Sequence, residues 1–391
     1  MRDLSPQLVQ GINSRLASVR RSGIRVVSDL AQRPGVLHLE IGQPDFPTPA
    51  HIVAAAHRAA RDGLTGYTSN AGLSELRSAL RDKLAEENGV QATTEQIVVT
   101  VGAMGALYAA QLAVLEPGDQ LLVPDPGYPN YRMVATLCDA EVVSYPLLPE
   151  QGYQPDLEAL AAAITPRAKA IVINSPSNPT GGVMSRAALE GLVELAERHD
   201  LYVLSDECYE RILFEGEHVS PASLGGTDRF FTIGSFSKTY AMTGWRVGYV
   251  VAPVPVAPML IKLQEATVAC APVLSQHAAL AALTGPQDAV AAMCAAYRRR
   301  RDLALSLLEP EGLCRYRPGG AFYLLVDLPG EVADTSQYAR DLLAATDVAA
   351  APGETFGAGA AGRLRISLAT NEEVLTEGIE RLLRFARDRA G

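Results

Sequence analysis

A lysine in a turn of small and hydroxyl side chains is the residue whose surroundings most clearly indicate chemistry. Lys238 lies in the string Gly234–Tyr249, which reads GSFSKTYAMTGWRVGY. A lysine held out of bulk water has a lowered amine pKa and can form a Schiff base. Ser235 and Ser237 precede it and Arg246 follows, so hydroxyl groups and a guanidinium could bind a phosphate. Together these residues indicate pyridoxal phosphate, while the same residue types also occur on solvated surface turns.

Other polar residues directly follow short apolar runs. Asp206 and the turn Asn178–Gly181 each follow such a run, and Gly102-Ala103-Met104 ends a third run and begins a helix. The free N–H groups at the start of a helix favour anions. Ligands of an open parallel sheet bind beyond the carboxyl ends of its strands. Each feature alone is also typical of an ordinary turn or helix cap, so its position after a strand is what favours a binding site.

The elements that must position these residues alternate along the chain. Short, continuously apolar, β-rich runs are separated by helix-length segments, which is typical of a mainly parallel sheet covered by helices on both faces. We therefore predict an α/β fold with a large domain over 46–284. A smaller α+β domain is predicted from the N-terminal and C-terminal segments, 1–45 and 285–391. The runs predicted as strands include 97–101, 120–123, 170–173, 201–204 and 230–233.

Composition narrows the possible partners. The 391 residues carry 34 Lys and Arg against 44 Asp and Glu, a net charge of −10 that disfavours nucleic acid and anionic lipid. The five cysteines form no CxxC pair and the six histidines show no metal-ligand spacing, so neither a disulfide framework nor a metal is predicted.

No secretory signal or membrane-spanning apolar stretch is visible in the sequence, and we expect a cytoplasmic protein. The run Arg298–Arg301 is expected to form a solvated or salt-bridged helix face.

The string around Lys238 resembles the cofactor-lysine motif of the class I and II aminotransferases, which are fold type I pyridoxal-phosphate enzymes. The resemblance extends over essentially the whole chain, because further segments match the family's motifs in the same order. These segments are Leu39-Glu40-Ile41-Gly42-Gln43-Pro44-Asp45-Phe46-Pro47-Thr48-Pro49, Tyr67-Thr68-Ser69-Asn70-Ala71-Gly72-Leu73-Ser74-Glu75-Leu76-Arg77, Pro126-Gly127-Tyr128-Pro129, Asn178-Pro179-Thr180-Gly181, Asp206-Glu207-Cys208-Tyr209 and Arg365-Ile366-Ser367.

The resemblance implies a role for each matching residue at the cofactor. Lys238 would bind the cofactor covalently, and Asp206 would pair with the pyridine nitrogen and keep it protonated. Tyr209 and Asn178 would hydrogen-bond the phenolic oxygen, and Tyr128 would stack on the ring.

The phosphate and the substrate have their own matching residues. Gly102, Ala103, Met104, Ser235, Ser237 and Arg246 would surround the phosphate, with Tyr67 reaching in from the neighbouring subunit of a homodimer. Arg365 would bind the substrate α-carboxylate, and the backbone of Gly42 would approach it.

Three functions fit these motifs. The first is an aminotransferase that moves an amino group between an L-amino acid and a 2-oxo acid. The second is another reaction of the same cofactor, such as a C–S lyase or a decarboxylase, and the third is a non-enzymatic sensor of this fold. Some dicarboxylate-specific relatives place a lysine where Met104 stands, or use a partner arginine in the segment matching 266–275. This segment contains no cation, so a neutral or aromatic amino acid is favoured over aspartate.

Overall fold

The computed structural model describes residues 13–390, in which helices and strands alternate along much of the chain. The strands are β1 (Leu37–His38), β2 (Ile97–Thr100), β3 (Gln120–Asp125), β4 (Glu141–Leu148), β5 (Gln154–Pro155), β6 (Ala168–Asn174), β7 (Tyr202–Asp206), β8 (Phe230–Ser235), β9 (Gly248–Val251), β10 (Tyr323–Asp327), β11 (Val348–Ala349), β12 (Ala351–Pro352) and β13 (Arg363–Ser367). The α-helices of the described chain are α1 (Ser14–Ser18), α2 (Gly23–Leu30), α3 (Ala50–Arg61), α4 (Ser74–Asn88), α5 (Gly102–Val114), α6 (Asn130–Leu137), α7 (Leu157–Ala163), α8 (Arg186–Arg198), α9 (Ala222–Gly225), α10 (Phe236–Thr239), α11 (Ala257–Thr267), α12 (Val273–Thr284), α13 (Asp288–Leu308), α14 (Thr335–Thr346) and α15 (Glu372–Ala390).

Eight strands form the central sheet in the order β2-β9-β8-β7-β6-β3-β4-β5. Neighbouring strands from β8 to β4 are parallel, whereas β9 runs antiparallel to β2 and β8, and β5 runs antiparallel to β4. The five apolar runs predicted as strands correspond to β2, β3, β6, β7 and β8. The predicted α/β class with a mainly parallel sheet is therefore confirmed.

Both faces of this sheet are covered, as alternate residues of β6 demonstrate. Ala170 and Val172 belong to one hydrophobic cluster, whereas Ile171 and Ile173 belong to another. Successive side chains of a strand point to opposite faces, so a strand buried on both faces is apolar at every position. This burial explains why the central strands are continuous apolar runs in the sequence.

A second, antiparallel sheet has the order β10-β13-β12, and β1 pairs with β11 in a parallel two-stranded sheet. Residues of β10, β11 and β13 pack with parts of α13, α14 and α15 in a third hydrophobic cluster, which also includes Tyr209. The domain boundaries at 45/46 and 284/285 stay a prediction, and residues 1–12 and 391 lie outside the described part of the chain.

The arginine run on α13 divides into two pairs, because four consecutive helical residues point in four directions. The first two members are exposed, whereas Arg300 and Arg301 are buried. Arg300 donates from both terminal nitrogens to the two carboxylate oxygens of Asp45, each at 2.8 Å. Arg301 donates to Glu215 at 2.9 Å. The second pair therefore corresponds to the salt-bridged alternative of the expectation, with the difference that both side chains are buried and not at a solvated face.

The Arg300–Asp45 pair yields a stability prediction. Arg300→Met should leave the Asp45 carboxylate without its bidentate partner and destabilise the protein by about 2 kcal/mol, since Asp45 is partly accessible to water. The measurement is the midpoint of urea unfolding. Arg298→Met, on the same helix and exposed, is the control and should change stability by no more than about 0.5 kcal/mol. Equal midpoints for the two variants would contradict the prediction.

Candidate active site

Three neighbouring strands bring polar residues to one edge of the central sheet. Asn174 ends β6, Asp206 ends β7 and Ser235 ends β8, and Asn174 and Asp206 are paired in register. Lys238 follows within the short helix α10, three residues beyond Ser235. The edge at which ligands of parallel sheets bind therefore contains the predicted lysine and the predicted carboxylate.

Lys238 is partly buried, and its amine is held by a backbone carbonyl. The Nζ donates to the carbonyl oxygen of Gly42 at 2.6 Å and lies 5.9 Å from the centre of the Phe322 ring. Burial lowers the pKa of Lys238 to about 8, and the positive charges of Arg365 and Arg246 act in the same direction. About a tenth of this amine is therefore unprotonated and nucleophilic at pH 7, a much larger fraction than for a lysine in solution.

Asp206 is a buried carboxylate that is hydrogen-bonded by neutral donors. Its Oδ2 accepts from the Tyr131 hydroxyl at 2.7 Å, and its Oδ1 accepts from the Cys208 N–H at 3.3 Å. Burial raises the pKa of Asp206, and these hydrogen bonds oppose that rise. Within residues 13–390 no cationic side chain lies within 4 Å of the carboxylate, so a cation brought by a ligand would stabilise it. Sequence reasoning missed Tyr131, which stands three residues after Tyr128 at a spacing typical of one helix face.

Arg365 is a buried guanidinium at the centre of the small antiparallel sheet. It donates to the side-chain oxygen of Asn178 at 3.1 Å and to the carbonyl oxygen of Glu40, while its Nε has no hydrogen-bond partner among the described residues. The Tyr323 ring centre lies 4.3 Å from the guanidinium carbon, and the Phe356 ring centre lies at 5.0 Å. No carboxylate of the described chain forms a salt bridge with Arg365, so the site could accept a ligand carboxylate.

Two tyrosine hydroxyls meet beside Gly42, whose carbonyl holds Lys238. Tyr209 and Tyr323 approach to 2.8 Å, and burial raises the pKa of both. A side chain at Gly42 would lie 1.8 Å from the Tyr323 oxygen, so only glycine leaves room for this hydroxyl. Sequence reasoning assigned Tyr209 and Gly42 but not Tyr323, which lies in an apolar strand and resembles a core residue.

The start of helix α5 and the side chain of Arg246 lie together. A side chain at Gly102, whose φ is +68°, would come within 2.5 Å of an Arg246 nitrogen. Arg246 donates to the carbonyl oxygen of Thr243 at 2.9 Å, and no salt bridge holds it among the described residues. Ser235 accepts the N–H of Ser237 at 3.1 Å. A small anion could bind here between the guanidinium and the unpaired N–H groups at the start of α5, where Ala103 and Met104 follow Gly102.

Two of the predicted site residues, Tyr67 and Tyr128, differ from the buried charged residues in their exposure. Tyr67 is 91% exposed and lines a cleft of about 970 Å³ together with Trp245 and the segment 270–275. Within a single chain Tyr67 therefore contacts solvent. Tyr128 is partly buried, with its ring centre 5.7 Å from that of Tyr131 and its plane nearly perpendicular.

The fold also brings Glu207, Glu210 and His218 together, with ligand atoms within 4.8 Å of one another. Lys83 already pairs with Glu210, and His218 lies 2.8 Å from Glu207. Burial lowers the pKa of His218, but the hydrogen bond and the negative charge of Glu207 raise it by more, so the net shift is upward. These cationic partners balance the two carboxylates, so the cluster has the charge pattern of a salt-bridge network.

Comparison with known proteins identifies an enzyme class that moves amino groups. The family model described as aminotransferase class I and II matches residues 34–382. The chain is 40% identical over 385 residues to an aspartate/prephenate aminotransferase of Thermus thermophilus, covering 97% of this chain and 96% of that one. It is 41% identical over 369 residues to an arginine–pyruvate transaminase of Pseudomonas aeruginosa, covering 94% of each. The chain therefore belongs to the class I and II aminotransferases.

Solved structures agree with this membership. An aspartate aminotransferase from Thermus thermophilus with maleate superimposes with a TM-score of 0.92 at 41% identity, covering 96% of this chain and 99% of that one. An aromatic aminotransferase from Pyrococcus horikoshii gives 0.88 at 37% identity, covering 93% and 99%. The enzyme transfers an amino group between an amino acid and a 2-oxo acid, which confirms the first of the three functions considered.

No helix within residues 13–390 combines the length and the apolar character needed to cross a bilayer.

The pKa of Lys238 gives a prediction that needs no substrate. In the cofactor-free enzyme, the rate of Lys238 acetylation by acetic anhydride should rise with pH around a midpoint of about 8, because only the unprotonated amine reacts. Peptide mapping by mass spectrometry measures the rate at each pH. A midpoint of about 10.4, the value of a lysine free in solution, would contradict the prediction.

Proposed function

We propose that this aminotransferase binds pyridoxal phosphate through Lys238 and acts as a homodimer on neutral or aromatic amino acids. The observation that carries the proposal is a set of four charged groups without ion-pair partners. Lys238, Asp206, Arg246 and Arg365 form no salt bridge within the described chain, although neighbouring residues bury each of them wholly or partly. A buried charge without a partner costs free energy unless a ligand of opposite charge pairs with it.

Pyridoxal phosphate and an amino acid substrate carry the complementary groups. The phosphate fits Arg246, Ser235, Ser237 and the start of α5, where the glycine at 102 leaves room beside the guanidinium. A protonated pyridine nitrogen fits the Asp206 carboxylate. The residues present thus match the cofactor at both ends, and Lys238, three residues beyond Ser235, supplies a nucleophilic amine.

The phenolic oxygen and the ring face have candidate partners of their own. Tyr209 and Asn178 carry the hydroxyl and amide that would hydrogen-bond the oxygen, and Tyr128 would stack on the ring. When bound, pyridoxal phosphate supplies a carbonyl carbon for the amino group and a ring that accepts electron density from the substrate Cα.

This chain's residues would then position the substrate and move one proton. Arg365 would bind the substrate carboxylate in a bidentate pair, with Asn178 beside it and the backbone of Gly42 close to it. Lys238 Nζ would take the proton from the substrate Cα and return it to the cofactor carbon that carries the nitrogen. Its lowered pKa suits both steps, because the same amine must accept and release the proton near neutral pH.

The position of Tyr67 supports a dimer with shared sites. A tyrosine that is 91% exposed beside a large cleft is available to a neighbouring subunit. In such a dimer the Tyr67 hydroxyl would reach the phosphate of the partner's site, as the family resemblance implies. Each site would then need residues from both chains.

The side-chain pocket supports a neutral or aromatic donor. Met104 presents a thioether at the position where some dicarboxylate-specific relatives place a lysine, and its sulfur accepts from the Asn130 amide at 3.4 Å. The segment 266–275 adds no cation. A distal carboxylate would therefore lose its hydration without gaining a charged partner.

We also assign the enzyme to the cytoplasm. All five cysteines are free thiols, and three of them, Cys138, Cys208 and Cys314, are buried. Unpaired cysteines are typical of proteins in a reducing compartment.

Borohydride reduction tests the cofactor proposal directly. Treatment of the enzyme loaded with pyridoxal phosphate should fix the pyridoxyl group on Lys238, and peptide mapping should locate it there. Lys238→Ala is the control and should carry no covalent label after the same treatment. A label on another lysine of the wild-type enzyme would refute the proposed chemistry.

Mixed dimers test the shared sites. Lys238→Ala and Tyr67→Ala chains, unfolded and refolded together, should regain about a quarter of wild-type activity, because half of the random dimers contain one intact site. The control mixes Lys238→Ala with Arg246→Ala, because each subunit would supply both of these residues to its own site. Each site of a mixed dimer then carries one of the two substitutions, and no intact site can form. Equal activity of the two mixtures would rule out exchange of Tyr67 between subunits.

A substrate panel tests the specificity. Tyrosine, phenylalanine, alanine and methionine should together include at least one donor with a kcat/KM equal to or above that of aspartate at the same pH. Met104→Lys should shift the ratio of aspartate to phenylalanine towards aspartate by about tenfold, because it adds a cation to the pocket. A hundredfold preference of the wild-type enzyme for aspartate would contradict the prediction.

A further inference from the structure

Tyr323 lies at the junction of the two sheets, and no role follows for it from the motifs. It is the first residue of β10 and is paired in register with Ser367 of β13, two residues beyond Arg365. Arg365 is thus the diagonal neighbour of Tyr323 across the two strands, and its guanidinium lies over the Tyr323 ring. The residue is only 2% exposed, yet its hydroxyl reaches the oxygen of Tyr209 at 2.8 Å.

The two hydroxyls belong to different parts of the fold. Tyr209 follows β7 of the central sheet, whereas Tyr323 belongs to the small antiparallel sheet. The rings meet edge to face, with centres 5.6 Å apart and planes at 79°. Gly42, whose carbonyl holds Lys238, leaves the space that the Tyr323 oxygen occupies. The hydroxyl pair therefore lies next to the anchor of the reactive amine.

Each hydroxyl has one proton to donate, so the pair has a direction. If Tyr209 donated to Tyr323, its proton would be unavailable to a ligand; if Tyr323 donates, the Tyr209 proton is free. Burial raises the pKa of both groups, and the positive charge of Arg365 opposes the rise at Tyr323. A nearby cation stabilises negative charge on the Tyr323 oxygen, which makes Tyr323 the better donor of the two.

We propose that Tyr323 is a positioning residue whose hydroxyl donates to Tyr209 and so directs the Tyr209 proton towards the cofactor's phenolic oxygen. This inference rests on the proposed function, in which Tyr209 donates to that oxygen. A hydroxyl that accepts a hydrogen bond becomes a stronger donor in turn. Tyr323 would therefore strengthen the stabilisation of the phenolate without contacting the cofactor.

The test is a pH titration of the cofactor absorbance in the loaded enzyme. Tyr323→Phe keeps the ring under Arg365 and removes only the hydroxyl. It should raise the apparent pKa of the bound cofactor, which corresponds to about a tenfold increase in proton affinity. Without the Tyr323 hydroxyl the phenolate is less well stabilised, so the cofactor keeps its proton up to a higher pH. Cofactor affinity, measured by equilibrium dialysis, should fall in the same variant.

Two comparisons separate positioning from packing. Tyr297→Phe is the matched control, because Tyr297 is buried in the same aromatic cluster, with its ring centre 5.1 Å from that of Phe322, and its hydroxyl has no hydrogen-bond partner within residues 13–390. Its titration should equal that of the wild-type enzyme. Tyr209→Phe and the double variant Tyr209→Phe/Tyr323→Phe should share one apparent pKa, since Tyr323 acts only through Tyr209.

The outcomes distinguish this inference from the proposed function. An unchanged titration in Tyr323→Phe, a shift of equal size in Tyr297→Phe, or additive shifts in the double variant would overturn the role of Tyr323. A wild-type enzyme with no covalently bound cofactor on Lys238 would instead overturn the proposed function, and this result would be visible before any variant is made.

Discussion

Charged side chains held without counterions are the constraint on which the rest of this structure depends. Asp206 is hydrogen-bonded by a phenol and a backbone N–H, Arg365 by an amide oxygen and a carbonyl, and Lys238 by a carbonyl. Neutral partners hydrogen-bond part of each of these groups while leaving its charge without a salt bridge. A buried charge in this state is destabilising, so the surrounding elements must supply the stability that the site lacks. The same uncompensated charge is what a ligand of opposite sign can use.

The central sheet and the small antiparallel sheet each position different charged groups of the site. In the central sheet, burial on both faces fixes the ends of β6, β7 and β8, and with them Asp206. In the small sheet, the register of β10 with β13 places Arg365 beside Tyr323. The hydrogen bond from Arg365 to Asn178 and the contact between Tyr209 and Tyr323 connect the two sheets at the site. The relative position of the charged groups therefore depends on contacts between residues that are far apart in sequence.

This division explains what the sequence could and could not predict. The apolar runs predicted the central strands, because burial on both faces requires continuous apolar character, and the motifs predicted which residues gather at the strand ends. The hydroxyl partner of Tyr209 could not be predicted, since it stands 114 positions away in a strand that reads as core. The burial of Arg300 was equally hidden, because four consecutive arginines do not reveal which side of a helix faces Asp45. The roles of the site residues towards a cofactor stay predictions that chemistry must test.

The segment from Glu40 to Gly42 holds two of the charged groups through backbone atoms alone. The carbonyl of Glu40 accepts from Arg365, and the carbonyl of Gly42 accepts from Lys238. Two residues of chain span at most about 7 Å, so covalent geometry sets an upper limit on the separation of the two anchor points. Side-chain packing can relax or be exchanged by substitution, whereas a peptide carbonyl is the same atom whatever residue bears it. The main chain thus couples the positions of the amine and the guanidinium, because the two carbonyls that hold them cannot move apart by more than the length of this short segment.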